Sequence, residues 1–195
     1  MSETEIKITP DLILNAYSQG YFPMADSETG EISWYSPDPR GVFPLETYKP
    51  KKSLRNILNR KTFEVKFNTS FLDVMHGCAD RTSTWISEEI IDWYFQLHLR
   101  GFAHSVEVYQ DGKLVGGLYG VSLRGAFFGE SMFSRVTNAS KVAIHYLIEH
   151  LRKNQFTLLD TQFMTEHLLF LGAQNIPRDE YLKLLESSLR VNTHF

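Results

Sequence analysis

The chain has 195 residues, 43% of them hydrophobic and 22% charged, with a formal net charge of −3; this suits one compact domain, or a small domain joined to a medium one, with apolar residues enough for a sizeable core. No stretch is apolar for long enough to span a bilayer, and Met1 to Thr9 alternate charged and apolar residues instead of forming a secretory leader. The single cysteine, Cys78, excludes an internal disulfide and argues against a cysteine-based zinc cluster, so the expectation is a soluble, cytoplasmic protein with no membrane partner and no bound metal, the His76/Cys78 pair being incidental.

"PDLILNAYSQG" predicts a short helix, with Pro10 and Asp11 at its start, Leu12, Ile13 and Ala16 apolar, and Gly20 as a left-handed stop. Six of the seven prolines (Pro10, Pro23, Pro37, Pro39, Pro44, Pro50) lie in the first fifty residues, and "SPDPRG" can continue neither a helix nor a central strand. The N-terminal quarter therefore reads as loop-rich. Lys49, Lys51, Lys52, Arg55, Arg60, Lys61 and Lys66 follow in one short stretch whose single acid is Glu64. Such a patch fits phosphates and equally fits an ordinary solvated face.

Further on, Ser87 is a plausible N-cap, Glu88 and Glu89 occupy a first turn, and Gly101 terminates a helix with Ile90, Tyr94 and Leu97 apolar. "HSVEVYQDGKLVGGLYGV" alternates on either side of Asp111-Gly112, a hairpin signal, and a second turn at Arg124-Gly125 leads into the strand "AFFGE". "NASKVAIHYLIEHLRK" predicts a helix with Asn138 as its cap and Ala143, Leu147 and Leu151 on one face. "QFTLLD" predicts a buried strand ending at Asp160, and "TEHLLFLGA" and "PRDEYLKLLESSLR" predict two closing helices. The class is α+β, a mostly antiparallel sheet with helices over it.

Glu130 and Asp160 each combine an acid with an abrupt change of structure, at what read as two strand ends. Acids there serve as caps and ion-pair partners or as functional groups. The G-x-S-x-G elbow, the Walker loop and H-E-x-x-H are missing from the sequence, and "GGLYG" opens no helix. His104, His145, His150 and His167 are scattered, and Trp34, Tyr35, Trp85 and Trp93 are core by default, although an exposed ring near a site can stack on a base.

Taken in order, "AYSQGYFPM", "WYSPDPRGVFPLE", "TWI", "HSVEVY", "VGGLYGV", "FGESMFSRVTNASK", "LLDTQF" and "HLLFLGAQNIPRDEYL" resemble the leucyl/phenylalanyl-tRNA-protein transferases, in register from about residue 11 to Leu185. Members of that family move leucine or phenylalanine from a charged tRNA to the N-terminal arginine or lysine of a protein, which marks it for degradation. The resemblance implies a small, loop-rich N-terminal domain, residues 1–62, followed by a catalytic domain, residues 63–195, of the acetyltransferase type called GNAT. It also implies a monomer with aminoacyl-tRNA and protein N-termini as partners. The aminoacyl ester is already activated, so no metal, nucleotide or other cofactor is expected, only the alignment of an amine with an ester carbon.

The resemblance gives Asp160 and Gln162 the family's Asp-x-Gln positions beside the attacking amine, with Gln162 as the contact and Asp160 as its support; Asp160 as the direct base is the other assignment. Glu130 matches the acid of G-E-S-M-F-S-R and would hold the free α-amino group of the aminoacyl ester. Leu118, Phe127, Ile144, Leu147 and Leu159 take the positions of an apolar pocket, where each methylene is worth about 1–3 kcal/mol of discrimination. Trp85 and Tyr17 match residues near the terminal adenosine, and Met24 stands where other members carry a tryptophan. Lys52 and Arg55 would contact tRNA phosphates without reading sequence. An N-acetyltransferase using acyl-coenzyme A would share the fold but needs a glycine-rich pyrophosphate turn before a helix, and "MFSRVT" holds no glycine.

Overall fold

The computed structural model describes residues 8–26 and 29–195, so most of the alternating segment Met1–Thr9 lies outside the described residues. The Thr9 hydroxyl accepts from Leu12 N–H and starts α1 (Pro10–Ser18), and Gly20, at φ +82°, turns the chain out of it as the sequence predicts. The proline-rich segment that follows is more ordered than its composition suggests. β1 (Phe22–Ala25) and β2 (Ile32–Tyr35) form a two-stranded antiparallel sheet, and β3 (Arg40–Phe43) starts directly after Pro37 and Pro39. The prolines sit in the connections and in a strand of a two-stranded sheet, where a missing N–H is tolerated.

Ser87 caps α4 (Glu88–Leu99) by accepting from Ile90 N–H. Asp111 and Gly112 both have positive φ (50° and 74°), the geometry a two-residue hairpin demands, and they join β5 (Ala103–Gln110) to β6 (Lys113–Leu123). Arg124-Gly125 turns β6 into β7 (Ala126–Ser134). Asn138 precedes α5 (Ala139–Lys153) in a left-handed conformation, but its side chain makes no capping bond there and instead accepts from Lys141 Nζ. A parallel pair of strands needs a crossover connection, and α5 supplies it between β7 and β8 (Leu158–Gln162).

Together with β4 (Glu64–Phe67) and β9 (Gln174–Ile176), these strands make a seven-stranded sheet in the order β4-β5-β6-β7-β8-β3-β9, antiparallel except at β7/β8. Because β3 lies inside it, a division of the chain at residue 62 would cut this sheet. Helices cover both faces. One core joins the sheet to α1, α3 (Phe71–Ala79), α4 and α7 (Arg178–Ser188); the other joins it to α2 (Lys52–Asn59), α5 and α6 (Glu166–Leu171). Adjacent residues of β6 divide between the two, Leu118 into the second and Tyr119 into the first, as the two-residue period of a strand requires. Among the described residues no helix is long and apolar enough to cross a membrane.

Candidate active site

Glu130 does not end its strand. β7 runs on to Ser134, and Glu130 is the extra residue of a β-bulge: Gly120 pairs with Gly129, Tyr119 pairs with Ser131, and Glu130 is left between them. Gly120 has to be glycine at this kink, since a Cβ would stand 2.2 Å from the Phe128 carbonyl oxygen and 2.5 Å from the Phe127 ring. The bulge turns the Glu130 carboxylate toward α1 and α4. Tyr17 donates to Oε1 at 2.6 Å, Tyr94 donates to Oε2 at 3.1 Å, and the two tyrosine hydroxyls lie 2.6 Å apart. Burial raises the pKa of Glu130 to about 7, against the lowering effect of the tyrosine hydrogen bonds.

Asp160 is likewise not terminal but the third residue of β8, and it is fully buried. Arg40 of β3 grips it from both ends, Nε to Oδ1 at 2.9 Å and Nη2 to Oδ2 at 2.7 Å, while the Tyr181 hydroxyl donates to Oδ2 at 2.8 Å. The fourth donor is the backbone N–H of Gln162, 2.8 Å from Oδ1. Burial works against the charge on Arg40, but the Asp160 carboxylate outweighs it and holds the guanidinium above its ordinary pKa. With four hydrogen bonds on a buried carboxylate, little of Asp160 is left for a substrate proton.

The bond from Gln162 N–H also bends the chain. Gln162 sits at φ +64°, unusual for a residue with a Cβ, and the carboxylate two residues earlier stabilises it in the manner of an Asx turn. β7 and β8 pair only from Ala126/Leu158 to Phe128/Asp160; beyond that their backbones part, and the bridge is made by side chains, Gln162 Nε2 donating to Glu130 Oε1 at 2.8 Å. With its NH2 so occupied, the amide carbonyl of Gln162 is the group available as an acceptor.

A cavity of about 70 Å³ opens at this split, lined by Leu118, Ile144, Leu147 and Leu159 together with Phe43, Met132 and Leu168, with Glu130 and Thr161 at its polar side. Four of the five pocket residues implied by the family resemblance therefore share one cavity. Phe127 is different: it is fully buried beneath Gly120, packs on Phe195 and lines no part of the cavity. A groove of about 300 Å³ shares Glu130, Ser131, Met132, Thr161 and Leu168 with the cavity and adds Met24, Trp85 and Gln162.

Trp85 and Met24 thus do meet in one groove, whereas Tyr17 is wholly buried behind Glu130 and lines neither space. Lys52 and Arg55 are exposed on α2 and line neither space either. Nothing local in the sequence marks Arg40, Tyr94 or Tyr181: Arg40 stands inside the turn-forming "SPDPRG", and Tyr94 reads as one more apolar helix position. Phe43 and Leu168 reach the cavity from β3 and α6, where nothing local marks them.

The family model described as leucyl/phenylalanyl-tRNA protein transferase matches residues 42–186, and that of the family's N-terminal domain matches residues 7–38. Two relatives named leucyl/phenylalanyl-tRNA--protein transferase, from Gloeobacter violaceus and Herpetosiphon aurantiacus, are 52% and 50% identical over 190 residues, covering 97% of this chain and 98% of each relative. Likeness to the solved structure of a GCN5-related N-acetyltransferase-like protein from Streptococcus suis is slight, at 13% identity and a TM-score of 0.42 over 85% of this chain and 63% of that one. The extent of the family match and the identity to full-length relatives establish that this chain belongs to the leucyl/phenylalanyl-tRNA protein transferase family.

Proposed function

We propose that this protein transfers leucine or phenylalanine from aminoacyl-tRNA to the N-terminal arginine or lysine of proteins, marking them for degradation. The observation that carries the reading is a side-chain-sized apolar cavity with the Glu130 carboxylate at its polar side, adjoining a groove lined by Gln162, whose NH2 is spent on Glu130 and whose carbonyl is left to accept. In the reaction, the acceptor amine attacks the ester carbon, a C–N bond forms, the C–O bond to the ribose breaks, and the proton lost by the amine goes to the departing ribose oxygen. Glu130 holds the α-amino group of the ester. Gln162 accepts a hydrogen bond from the attacking amine, and Asp160 acts through it by fixing the backbone that aims the amide. The cavity takes the leucyl or phenylalanyl side chain, and Trp85 with Met24 takes the adenosine.

The reading carries with it a cytoplasmic setting, where aminoacyl-tRNA is found, a monomer as the working unit, and phosphate contacts from Lys52 and Arg55. The splitting of the parallel pair β7/β8 at the site supports a GNAT-like character for the larger part of the chain. The test is incubation with labelled leucyl-tRNA and peptides that begin with Arg, Lys, Asp or Glu. Label on the Arg and Lys peptides alone is the expected result. Label on the Asp or Glu peptides would assign a different acceptor, and no label on any peptide would refute the transferase reading.

A further inference from the structure

We propose that Arg81 binds the phosphodiester that precedes the terminal adenosine of the aminoacyl-tRNA. The inference rests on the transferase reading above and adds to it a residue and a ligand group. Arg81 lies exposed in the connection between α3 and α4, four positions before Trp85, and both line the groove that adjoins the cavity. Among the described residues lining that groove it is the one lysine or arginine. A terminal nucleotide offers a flat base and, one linkage away, a single negative charge. One short loop presents a ring and a cation to the same space.

The guanidinium is held in place without being used up. Nη2 donates to the Met132 carbonyl and, at 3.4 Å, to Ser131 Oγ, both on the β7 stretch that follows Glu130. Among the described residues Nε and Nη1 meet no acceptor and Arg81 makes no ion pair. A fixed, unneutralised guanidinium with a free donor edge is what phosphate recognition asks for, and such a contact positions a nucleic acid without reading its sequence. The competing role, in which Arg81 only braces β7, would affect every substrate alike.

The experiment compares kcat/KM for leucyl-tRNA and for 3′-leucyl-adenosine, which has the same ester but no phosphate, in the wild type, Arg81→Gln and Arg81→Lys. Arg81→Gln is expected to lower the ratio of tRNA to adenosine reactivity about tenfold, the scale of one hydrogen-bonded charge. The salt dependence of KM for leucyl-tRNA should become shallower by about 0.7 in its log–log slope, one single-strand phosphate contact. Arg81→Lys, which keeps the charge but not the fork, should fall between the two. Equal loss on both substrates, or no loss on either, overturns the assignment. A wild type that uses neither substrate overturns the transferase reading, and the Arg81 assignment with it.

Discussion

The side-chain amide of Gln162 donates to Glu130 Oε1 at 2.8 Å and so joins β7 to β8 where their backbones have already parted. The bond sets which way the amide faces, because its NH2 must lie toward the carboxylate and its carbonyl oxygen away from it. Gln162→Ala removes the proposed acceptor for the attacking amine and should lower the single-turnover rate of transfer roughly 10- to 100-fold, the value of one hydrogen bond to a charged or charging group. An unchanged rate would remove Gln162 from the chemistry.

Asp160→Asn should act on the fold before it acts on the chemistry. The substitution leaves Arg40 buried without its counter-charge and faces it with an NH2 group, and breaking a buried pair from one side costs about 3–5 kcal/mol. Urea denaturation measures this directly. The stability loss is the same if Asp160 is the direct base, so the assignments are separated by single-turnover transfer of the folded fraction: a loss much larger than that of Gln162→Ala would make Asp160 the base, and a comparable or smaller one leaves it as support.

How much of this was legible in the sequence follows from how local each cause is. The Ser87 cap and the Asp111-Gly112 hairpin depend on residues a few positions apart, and both were readable. The bulge at Glu130 depends on pairing with β6, and the Arg40–Asp160 pair spans 120 positions, so neither leaves a local mark. Tyr17 illustrates the difference within one residue: the resemblance picked it out, yet its place behind Glu130, bonded to Tyr94, is a matter of how α1 packs on α4. Met24 and Trp85, far apart in the chain, meet in a groove that only the folded chain brings together.

With Glu130 in its proposed role, transfer and stability should respond to pH in opposite directions. Burial raises its pKa to about 7, so the carboxylate that would hold the substrate amine forms only as pH rises through neutrality. Below that point kcat/KM should fall about tenfold per pH unit. For stability, a carboxyl whose pKa is raised on folding favours the fold most strongly below the ordinary carboxylate range, and the contribution is lost as pH rises toward 7. Thermal melting of the wild type relative to Glu130→Gln should therefore decline over that window. Glu130→Gln should fold yet lose most transfer, and its residual activity should lack the acid limb. A wild-type profile flat from pH 5 to 8 would contradict this account.

Ile144→Phe probes whether the cavity selects the transferred side chain. Ile144 extends from α5 into a space of about 70 Å³ that is walled on the sheet side by Leu118 and Leu159. A larger ring there occupies room that a phenylalanyl group needs more than a leucyl group does. Apolar pockets discriminate by about 1–3 kcal/mol for each methylene of misfit, so the ratio of leucine to phenylalanine transfer should rise at least about tenfold. Over-packing a core position costs about 1–3 kcal/mol, and a melting curve separates that general loss from the change in preference. Competition between leucyl- and phenylalanyl-tRNA in one reaction reads the ratio independently of the amount of folded enzyme. A ratio that stays constant would place the transferred side chain outside this cavity.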